Sequence, residues 1–425
     1  MLRPGDLCIA RGGEAAVSPP PVRVALVMDH PAQHFTRALQ LLSGEAAVQL
    51  RVYYWWIPEG VHDAGFNRPV SWDVDLLGGY AWAVTDSGRA MGSRLRWLIG
   101  QWRAGRPDVV VCYGWASPIA RAAMIYCVFA RTRLLLYGDT TWQHSTRGRH
   151  PVLRSVLLRV LMRMSAGAAS TGTFNREFYI SHGMDPRRIW PSVCPADTES
   201  FGSARAPAPE AADLAAPGAG DRPLRIGFAG KLIPRKGADE LLRAAAILPR
   251  TDDWSVTVVG DGPLMAQLRA LAAALGVDDL VTFHGFANTT EMPGLLAGFD
   301  VVVVPSRLDM RALVTIEAMA AGAAIVVSDA TAVWGHGDLV EHGVTGLVYP
   351  SGDPAALARE LGRLLADRAF LAQLRSRGAE RSAEYGPEAF SRTMASAARM
   401  CLAATKRASR QARRRQARTR ATTGP

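Results

Sequence analysis

A glycine-rich stretch with two lysines is the first part of this 425-residue chain whose residues suit a chemical task. The stretch GFAGKLIPRKG, residues 227–237, follows a predicted strand at 224–229 and opens a predicted helix at 236–248. A phosphate placed there would meet the amides and the positive dipole end of a helix. Lys231 and Lys236 would add two cationic donors. Taken alone, these residues also fit a glycine turn with two solvated lysines.

A second glycine turn, VVGDGPL at residues 258–264, also joins a predicted strand to a predicted helix. Pro263 stands where proline favours a first helical turn. The stretch lacks the GxGxxG pattern of a dinucleotide site, and the chain contains no GxxxxGK[ST] sequence of a P-loop. By itself, this turn indicates only a tight connection.

Two carboxylates, Asp309 and Glu317, lie eight residues apart after the apolar run at 301–305. Asp309 is predicted in the loop after that strand, and Glu317 in the following helix among apolar neighbours. A carboxylate in such surroundings needs a ligand hydroxyl or an ion pair, because burying it unpaired is costly. An ordinary acid on a helix surface is the alternative interpretation.

The elements that must position these residues alternate between strands and helices in both halves of the chain. Apolar runs such as 22–28 and 109–113 are typical of strands buried on both faces. We therefore expect an α/β fold of two Rossmann-like parallel-sheet domains that face each other across a cleft. Ligands of such sheets bind outside the C-terminal ends of the strands, and all three motifs follow predicted strands.

Composition divides the chain at residues 206–223, which are rich in Ala, Pro and Gly and predict an interdomain linker. Residues 57–90 show no clear period and predict a long functional insertion. The other predicted parts are a flexible leader at 1–20, an N-terminal Rossmann-like domain at 21–205, a C-terminal Rossmann-like domain at 224–386, a helix at 387–404 that crosses back to the N-terminal domain, and a disordered basic tail at 405–425.

The positive charge is concentrated near the C-terminus. The net charge is +11, and eight cations without an acid lie in residues 406–420, so the rest of the chain carries about +3 (11 − 8). Such a run is usually solvated; an anionic membrane surface and nucleic acid are the alternative partners. Five cysteines lie far apart without a CxxC pattern, which disfavours a zinc site and fits a reducing cytoplasm.

Seven stretches between residues 222 and 385 resemble, in their order and spacing, the C-terminal domain of glycosyltransferase family 4, whose members have the GT-B fold. They are GKLIPRKG, VVGDGPL, VTFHGF, VVVPSRLD, IEAMAAG, VSDATA and EHGVTGLVYPSGD. In the N-terminal half, FNRPVSWDVDLLGGY, LLLYGDTTW, TGTFNREFYISHGM and CPADTESF are similar to a subgroup of that family. The resemblance implies a retaining transfer of a hexosyl-type sugar from a nucleotide-diphosphate-sugar to an acceptor hydroxyl. It also implies that residues 21–205 form the acceptor domain and residues 224–386 the nucleotide-sugar donor domain.

The resemblance also implies roles for residues at matching positions. Lys231 and Lys236 would neutralise the donor diphosphate, and Glu317 would accept hydrogen bonds from the ribose hydroxyls. Asp309 stands where the family has its first Glu, near the donor sugar, and is one methylene shorter. The implied donor-binding residues are Gly230, Lys231, Lys236, Gly260, Gly285, Asp309, Leu313, Val314 and Glu317.

Two loops of the chain depart from the family pattern. Residues 310–313 replace a usual Gly-Phe-Gly sequence, and Arg311 either intrudes on the diphosphate or helps to bind it. After the first strand, a segment with His30 and His34 replaces a glycine-rich loop. These two histidines either line the acceptor site or are polar loop residues.

Asp139 follows the strand at 133–137, where many relatives have a histidine. It would be a catalytic residue near the anomeric carbon, together with Asp309, or else it would cap a helix or turn. The resemblance implies no cofactor and no required metal, because the two lysines can replace the charge of a metal ion. Asp73-Val-Asp75 has the DxD spelling, but it lies inside the insertion and not at a strand end.

Several functions and partners follow from these expectations. The predicted partners are a nucleotide-diphosphate-sugar, a glycan, lipid-linked or small-molecule acceptor, and an anionic membrane surface. Nucleic acid is not expected, because the chain lacks an aromatic or groove-reading pattern. The alternatives left open are glycosylation of a small molecule, a nucleotide-sugar epimerase of the same fold, and a sugar-nucleotide-binding protein that has lost catalysis.

The resemblance also suggests synthesis of a cell-surface polysaccharide or glycolipid, which predicts a cytoplasmic enzyme peripheral to the inner face of the cell membrane. Helix 152–164 places three arginines among valine and leucine, and segment 94–106 places Trp97 and Trp102 among arginines. Basic and aromatic residues together suit an anionic interface. Alternatively, both helices cover a sheet with their apolar faces.

Overall fold

The computed structural model describes residues 20–57, 62–63, 65–66, 68–69, 72–141, 151–205, 222–251 and 253–403. The predicted leader, interdomain linker and basic tail lie outside these residues, apart from Pro20, Arg222 and Pro223. The boundaries proposed for these segments stay predictions.

The N-terminal half forms a parallel sheet of seven strands in the order β5-β2-β1-β6-β7-β8-β9. The strands are β1 (Val22–Met28), β2 (Val48–Tyr54), β5 (Trp82–Val84), β6 (Val109–Tyr113), β7 (Arg133–Gly138), β8 (Gly167–Ser170) and β9 (Ile189–Pro191). An antiparallel pair, β3 (His62–Asp63) and β4 (Arg68–Pro69), lies between β2 and β5 in the chain. The helices are α1 (Gln33–Gly44), α2 (Met91–Gly105), α3 (Pro118–Ala130), α4 (Pro151–Met164), α5 (Thr173–Ser181) and α6 (Thr198–Ser203).

The C-terminal half forms a parallel sheet of six strands in the order β12-β11-β10-β13-β14-β15. The strands are β10 (Leu224–Ala229), β11 (Trp254–Val259), β12 (Val281–Gly285), β13 (Val301–Val304), β14 (Ala324–Ser328) and β15 (Leu347–Tyr349). The helices are α7 (Ala238–Ala245), α8 (Met265–Ala274), α9 (Met292–Ala297), α10 (Val314–Ala320), α11 (Pro354–Ala366) and α12 (Arg368–Ser382). A final helix, α13, covers 387–403.

Burial of the strands follows from their sequences. Every residue of β13 and β14 is buried, as expected for valine-rich strands covered by helices on both faces. In each sheet the strand order reverses beside the first strand: β1 lies between β2 and β6, and β10 lies between β11 and β13. The two expected Rossmann-like parallel-sheet domains are therefore confirmed, and each has a crevice at this reversal point.

Some elements differ from the sequence predictions. Residues 57–90, predicted to be a long functional insertion with no clear period, contribute β5 to the edge of the N-terminal sheet beside β2. The alternation of polar and apolar residues also did not identify β9, β15 and α12. Strands β5, β9 and β15 have only three residues each, too few to show a period. The helix predicted at 236–248 was wrong at its start, because Pro234–Lys236 forms a separate 3-10 turn and α7 begins at Ala238.

The last described helix, α13, packs on the N-terminal domain although it follows the C-terminal domain in sequence. Phe390 is fully buried, with its ring centroid 5.8 Å from that of Phe35 and 5.7 Å from that of Tyr137. Ser391 donates a hydrogen bond to Glu45 at 3.1 Å. The chain therefore passes twice between the two domains.

The two helices considered for membrane contact differ in exposure. In α2, Leu98 and Trp102 are fully buried against the sheet, which supports the interpretation of this helix as a sheet cover. In α4, Val152, Leu153 and Leu157 are 58 to 76% exposed. No helix among the described residues is both long and apolar enough to span a membrane.

Candidate active site

A cavity of about 950 Å³ lies between the two domains, at the C-terminal ends of the central strands of both sheets. The loops after β10, β11 and β13 form one wall, and the segments after β1 and β7 contribute to the opposite wall. This position matches the crevices at which the strand order reverses. The volume is in the range of sites that hold a small molecule.

The cavity wall formed by the loops of the C-terminal domain, the donor wall, depends on close backbone contacts that only glycine permits. Gly260 has φ +138, and a Cβ atom there would lie 1.9 Å from the carbonyl oxygen of Gly230. Gly237 has φ +71, and a Cβ atom would lie 2.0 Å from the carbonyl oxygen of Pro305. The amide of Gly260 donates to the carbonyl of Gly285 at 2.7 Å. These contacts hold the three loops together and leave their backbone open to the cavity.

Lys231 projects from the loop after β10 and meets the insertion of the other domain. Its Nζ atom lies 2.7 Å from a carboxylate oxygen of Asp63 and 4.8 Å from the ring centre of Phe66. Burial raises the pKa of Asp63, but the hydrogen bonds from Lys231 and from two backbone amides outweigh it, so the pKa lies below its ordinary value. One of the two expected diphosphate cations is thus held by a carboxylate.

Lys236 forms an ion pair with Asp309 across the donor wall. The backbone amide of Ala312 donates to the same carboxylate at 3.0 Å, and the hydroxyl of Ser306 lies 3.4 Å from it. Burial favours the neutral form of Asp309, but the nearby Lys236 charge outweighs it and lowers the pKa. Asp309 is therefore an ionised, fixed acceptor beside the second expected diphosphate cation.

Glu317, in α10, lies on the cavity wall without a direct ion pair among the described residues. Burial and, to a lesser extent, the charge of Asp197 raise the pKa of Glu317 to about 7, against the opposing effect of Lys236. A carboxyl group in this state is ready to accept hydrogen bonds from ligand hydroxyls, which would restore the solvation lost on folding.

The loop between Asp309 and α10 is folded back on its own carboxylate. Ala312 has φ +34, a left-handed conformation that favours glycine, in the place where the family pattern has glycine. Arg311 is only 5% exposed and lines the cavity. The departure seen in the sequence therefore puts a buried guanidinium at the cleft.

The two histidines expected on the acceptor side separate in the structure. His34 lines the cavity at the start of α1, and burial followed by the charge of His30 lowers its pKa to about 4. His30 is exposed, with its ring 5.0 Å from that of Trp56 and its Nδ1 3.0 Å from the carbonyl oxygen of Pro31. It does not line the cavity. Asp139, after β7, does line it.

The insertion completes the cavity near the end of β12. The ring of Phe66 lies 5.1 Å from that of Phe286, and Asp73 accepts a hydrogen bond from the amide of Thr290 at 3.3 Å. Trp72 also lines the cavity. The sequence did not predict that Phe66, Trp72 and Asp73 lie on the donor side, although the FNRPVSWDVDLLGGY stretch marked the segment.

The structure brings together nearly all of the predicted site residues. Ten of them line one cavity: Gly230, Lys231, Lys236, Gly260, Asp309, Leu313, Val314, Glu317, His34 and Asp139. Gly285 supports Gly260 from outside it, and His30 lies away from it. The part of the chain that the structure describes contains no cluster of three His, Cys, Asp or Glu suited to a metal ion. The functional roles of these residues stay predictions.

Two Rossmann-like parallel-sheet domains with a cleft between them define the GT-B class of fold. The structure of Anabaena HepE in complex with UDP superposes with a TM-score of 0.66, covering 88% of this chain and 98% of that chain at 17% identity. At this identity the similarity concerns the fold.

Sequence comparison gives the family. Residues 211–381 match the family described as glycosyl transferases group 1. The chain is 31% identical, over 61% of its length, to 67% of a GDP-mannose-dependent alpha-(1-6)-phosphatidylinositol monomannoside mannosyltransferase of Mycobacterium tuberculosis. The chain belongs to the glycosyl transferases group 1 family.

Other similarities are confined to part of the chain. The D-inositol 3-phosphate glycosyltransferase of Salinispora tropica is 40% identical over 37% of this chain and 34% of its own length. Matches to two further curated relatives span 41% and 36% of those relatives. The chain thus matches about a third to two fifths of the length of these three curated relatives.

Proposed function

We propose that the protein is a retaining glycosyltransferase of family 4 that moves a hexosyl unit from a nucleotide-diphosphate-sugar to an acceptor hydroxyl. One observation carries this proposal: Lys231, Lys236, Asp309 and Glu317 come from three chain segments and meet on one wall of the interdomain cavity. Two cations beside glycine-built backbone suit a diphosphate, and two carboxyl groups suit sugar hydroxyls.

In the proposed reaction, the protein positions the donor and stabilises the departing diphosphate. Lys231 and Lys236 would exchange their present carboxylate partners for phosphate oxygens. Glu317 would accept from the ribose, and Asp309 from the donor sugar. Asp139 would face the anomeric centre from the acceptor wall. This arrangement requires no metal, since the two lysines supply the positive charge.

Family membership and the relatives support the choice of substrates. A solved structure with the same fold contains UDP-glucose, and a relative that this chain matches over most of that relative's length is named for GDP-mannose and a phosphatidylinositol mannoside. We therefore propose an acceptor in cell-surface polysaccharide or glycolipid synthesis, and a cytoplasmic enzyme that works at the inner face of the cell membrane.

The test is direct binding followed by product analysis. UDP, GDP and their common sugar conjugates should raise the unfolding midpoint, and a ligand at 100 times its Kd adds about 2.7 kcal/mol. Incubation of the stabilising donor with lipid and small-molecule acceptors should give a product whose anomeric configuration matches the donor by NMR. Donor binding without transfer would instead favour a protein that has lost catalysis, and turnover of the sugar without an acceptor would favour an epimerase.

The exposed faces of α3 and α4 support the membrane part of this proposal. Phe129, Val152 and Leu157 are 60 to 85% exposed, and Arg159 and Arg163 are exposed on the same helix as the last two. Apolar side chains edged by arginines suit an anionic bilayer surface.

Cosedimentation with vesicles tests this membrane surface. Anionic vesicles should retain the protein at low salt, and Phe129→Ser with Leu157→Ser should weaken retention. Ile247→Ser, which replaces a residue that is 56% exposed on the other domain, is the matched control. Equal sedimentation with neutral and anionic vesicles would contradict the membrane proposal and favour a small-molecule acceptor.

A further inference from the structure

Arg311 is a buried cation, and part of its hydrogen-bonding capacity has no partner among the described residues. Its side chain lies on the cavity wall and the residue is 5% exposed. Its Nε and Nη2 atoms are buried and have no hydrogen-bond partner within the part of the chain that the structure describes. The sequence left open whether this cation intrudes on the diphosphate or helps to bind it.

The Arg311 guanidinium lies near Gly172 and Cys194 of the acceptor domain. The backbone amide of Arg311 points to Asp309, at 3.4 Å, and that carboxylate is paired with Lys236. The side chain instead reaches the acceptor domain, where its Nη1 would lie 2.9 Å from a Cβ atom built on Gly172. Its charge and a hydrogen bond from its side chain oppose the burial that raises the pKa of Cys194 to about 12.

The nearby carboxylate of Asp338 is occupied by other donors. Its oxygens accept from the amide of Thr173 at 2.9 Å, from the amide of Leu339 at 2.8 Å, and lie 3.4 Å from the hydroxyl of Tyr385. These bonds fix Asp338 in the interdomain contact. Nε and Nη2 of Arg311, a residue that lines the cavity, therefore have no acceptor among the described residues.

A buried guanidinium without acceptors is costly, because arginine stays charged at every pH relevant to a folded protein. Its planar fork matches the two oxygens of a carboxylate or phosphate group. A ligand anion at this position would satisfy both unused nitrogens.

We propose that Arg311 binds an anionic group, a carboxylate or a phosphate, carried by the transferred sugar or by the acceptor. This inference rests on the proposed function, since it assigns the ligand group that lies beyond the diphosphate. It distinguishes acidic substrates from neutral ones of the same shape. The two lysines bind the diphosphate, and Arg311 binds the anionic group next to it.

Matched ligands and matched variants test this assignment. The donors are UDP-glucose with UDP-glucuronate and GDP-mannose with GDP-mannuronate, and each pair differs only at C6. The acceptor-side probes are glucose, glucose 6-phosphate and glucuronate, added with UDP or GDP. The variants are Arg311→Gln, Arg311→Lys and, as a control for loss of one positive charge, Arg243→Gln on an exposed face of α7.

We expect the native protein to bind one acidic ligand at least tenfold more tightly than its neutral partner. Arg311→Gln should abolish that preference, Arg311→Lys should restore part of it, and Arg243→Gln should keep it. A preference within the donor pairs places the anion on the transferred sugar. A preference only among the acceptor-side probes places it on the acceptor. Affinity for UDP or GDP alone should change less than threefold.

Three results would overturn the inference. Equal weakening of UDP and all donors by Arg311→Gln would make Arg311 a diphosphate ligand. Absence of any acidic preference in the native protein would leave no anion to bind. A lower unfolding midpoint of ligand-free Arg311→Gln would mean that the guanidinium is a structural element, whereas removal of an unpaired buried charge should leave the midpoint equal or higher. If no nucleotide binds the native protein, the proposed function is contradicted. The affinities of the native protein and of Arg311→Gln for glucuronate and inorganic phosphate are then compared without a nucleotide.

Discussion

Replacing Glu317 by glutamine should remove a pH-dependent loss of stability. Burial raises the pKa of Glu317 from 4.5 to about 7, so the folded protein holds a proton that the unfolded chain has lost between these values. The folded state therefore binds more protons than the unfolded state, and stability falls as pH rises through this range. At 1.36 kcal/mol per pKa unit, the raised pKa of Glu317 lowers the free energy of unfolding by about 3 kcal/mol in total as the pH rises, mostly between pH 5 and 8.

The assay is denaturant unfolding of the native protein and of Glu317→Gln at pH 5, 6, 7 and 8. Other titrating groups act equally on both proteins, so the difference between them isolates Glu317. We expect near-equal stability at pH 5 and an advantage of about 2 to 3 kcal/mol for Glu317→Gln at pH 8. Glu177→Gln, at an exposed position of α5, is the control for the loss of one carboxylate.

Nucleotide binding should show the opposite pH dependence. If the ionised Glu317 accepts from the ribose, the affinity of the native protein below pH 7 should fall by up to about tenfold per pH unit relative to Glu317→Gln. A stability difference that is flat from pH 5 to 8 would refute the argument that burial controls this carboxyl group. A flat ratio of affinities would refute its role as an acceptor for the ligand.

The remaining predictions concern the rest of the donor wall. Lys236→Ala should weaken donor binding at least tenfold, about 1.4 kcal/mol, measured by calorimetry. Asp309→Asn should lower turnover but keep or increase nucleotide affinity, because it releases Lys236 from its ion pair; a matching fall in affinity would contradict this. Asp139→Asn should lower kcat with little change in donor Kd in a transfer assay. Gly260→Ala should destabilise the fold by at least about 2 kcal/mol in denaturant unfolding, because the new Cβ meets the carbonyl of Gly230.

Local signals predicted the parts of this molecule that depend on neighbours in sequence. The valine runs identified β1, β6 and β13, and the turn glycines marked where the loops of the donor wall begin. The sequence also predicted the turn at Gly260, because a glycine and a proline directly after a strand favour a tight connection to a helix. For these elements the sequence period and the fold agree.

Contacts between distant segments could not be predicted in this way. Asp63 precedes Lys231 by 168 residues, and no local pattern shows that the insertion of one domain reaches the donor loop of the other. His30 and His34 have the same residue type, but His30 is exposed before α1 begins, whereas His34 in the first turn of α1 lines the cavity. The unused nitrogens of Arg311 depend on which donors already occupy Asp338, a property of the assembled fold.

The return of α13 to the N-terminal domain has a consequence for synthesis of the protein. Phe390 completes the core beside Phe35 and Tyr137, so the first domain to leave the ribosome lacks part of its own interior. At 5 to 20 residues per second, the roughly 180 residues from the end of that domain to α13 take about 10 to 40 s. During this time an apolar groove on the nascent N-terminal domain is open to chaperones and to other chains. Truncation before residue 387 should therefore yield an aggregation-prone protein even though both sheets are present.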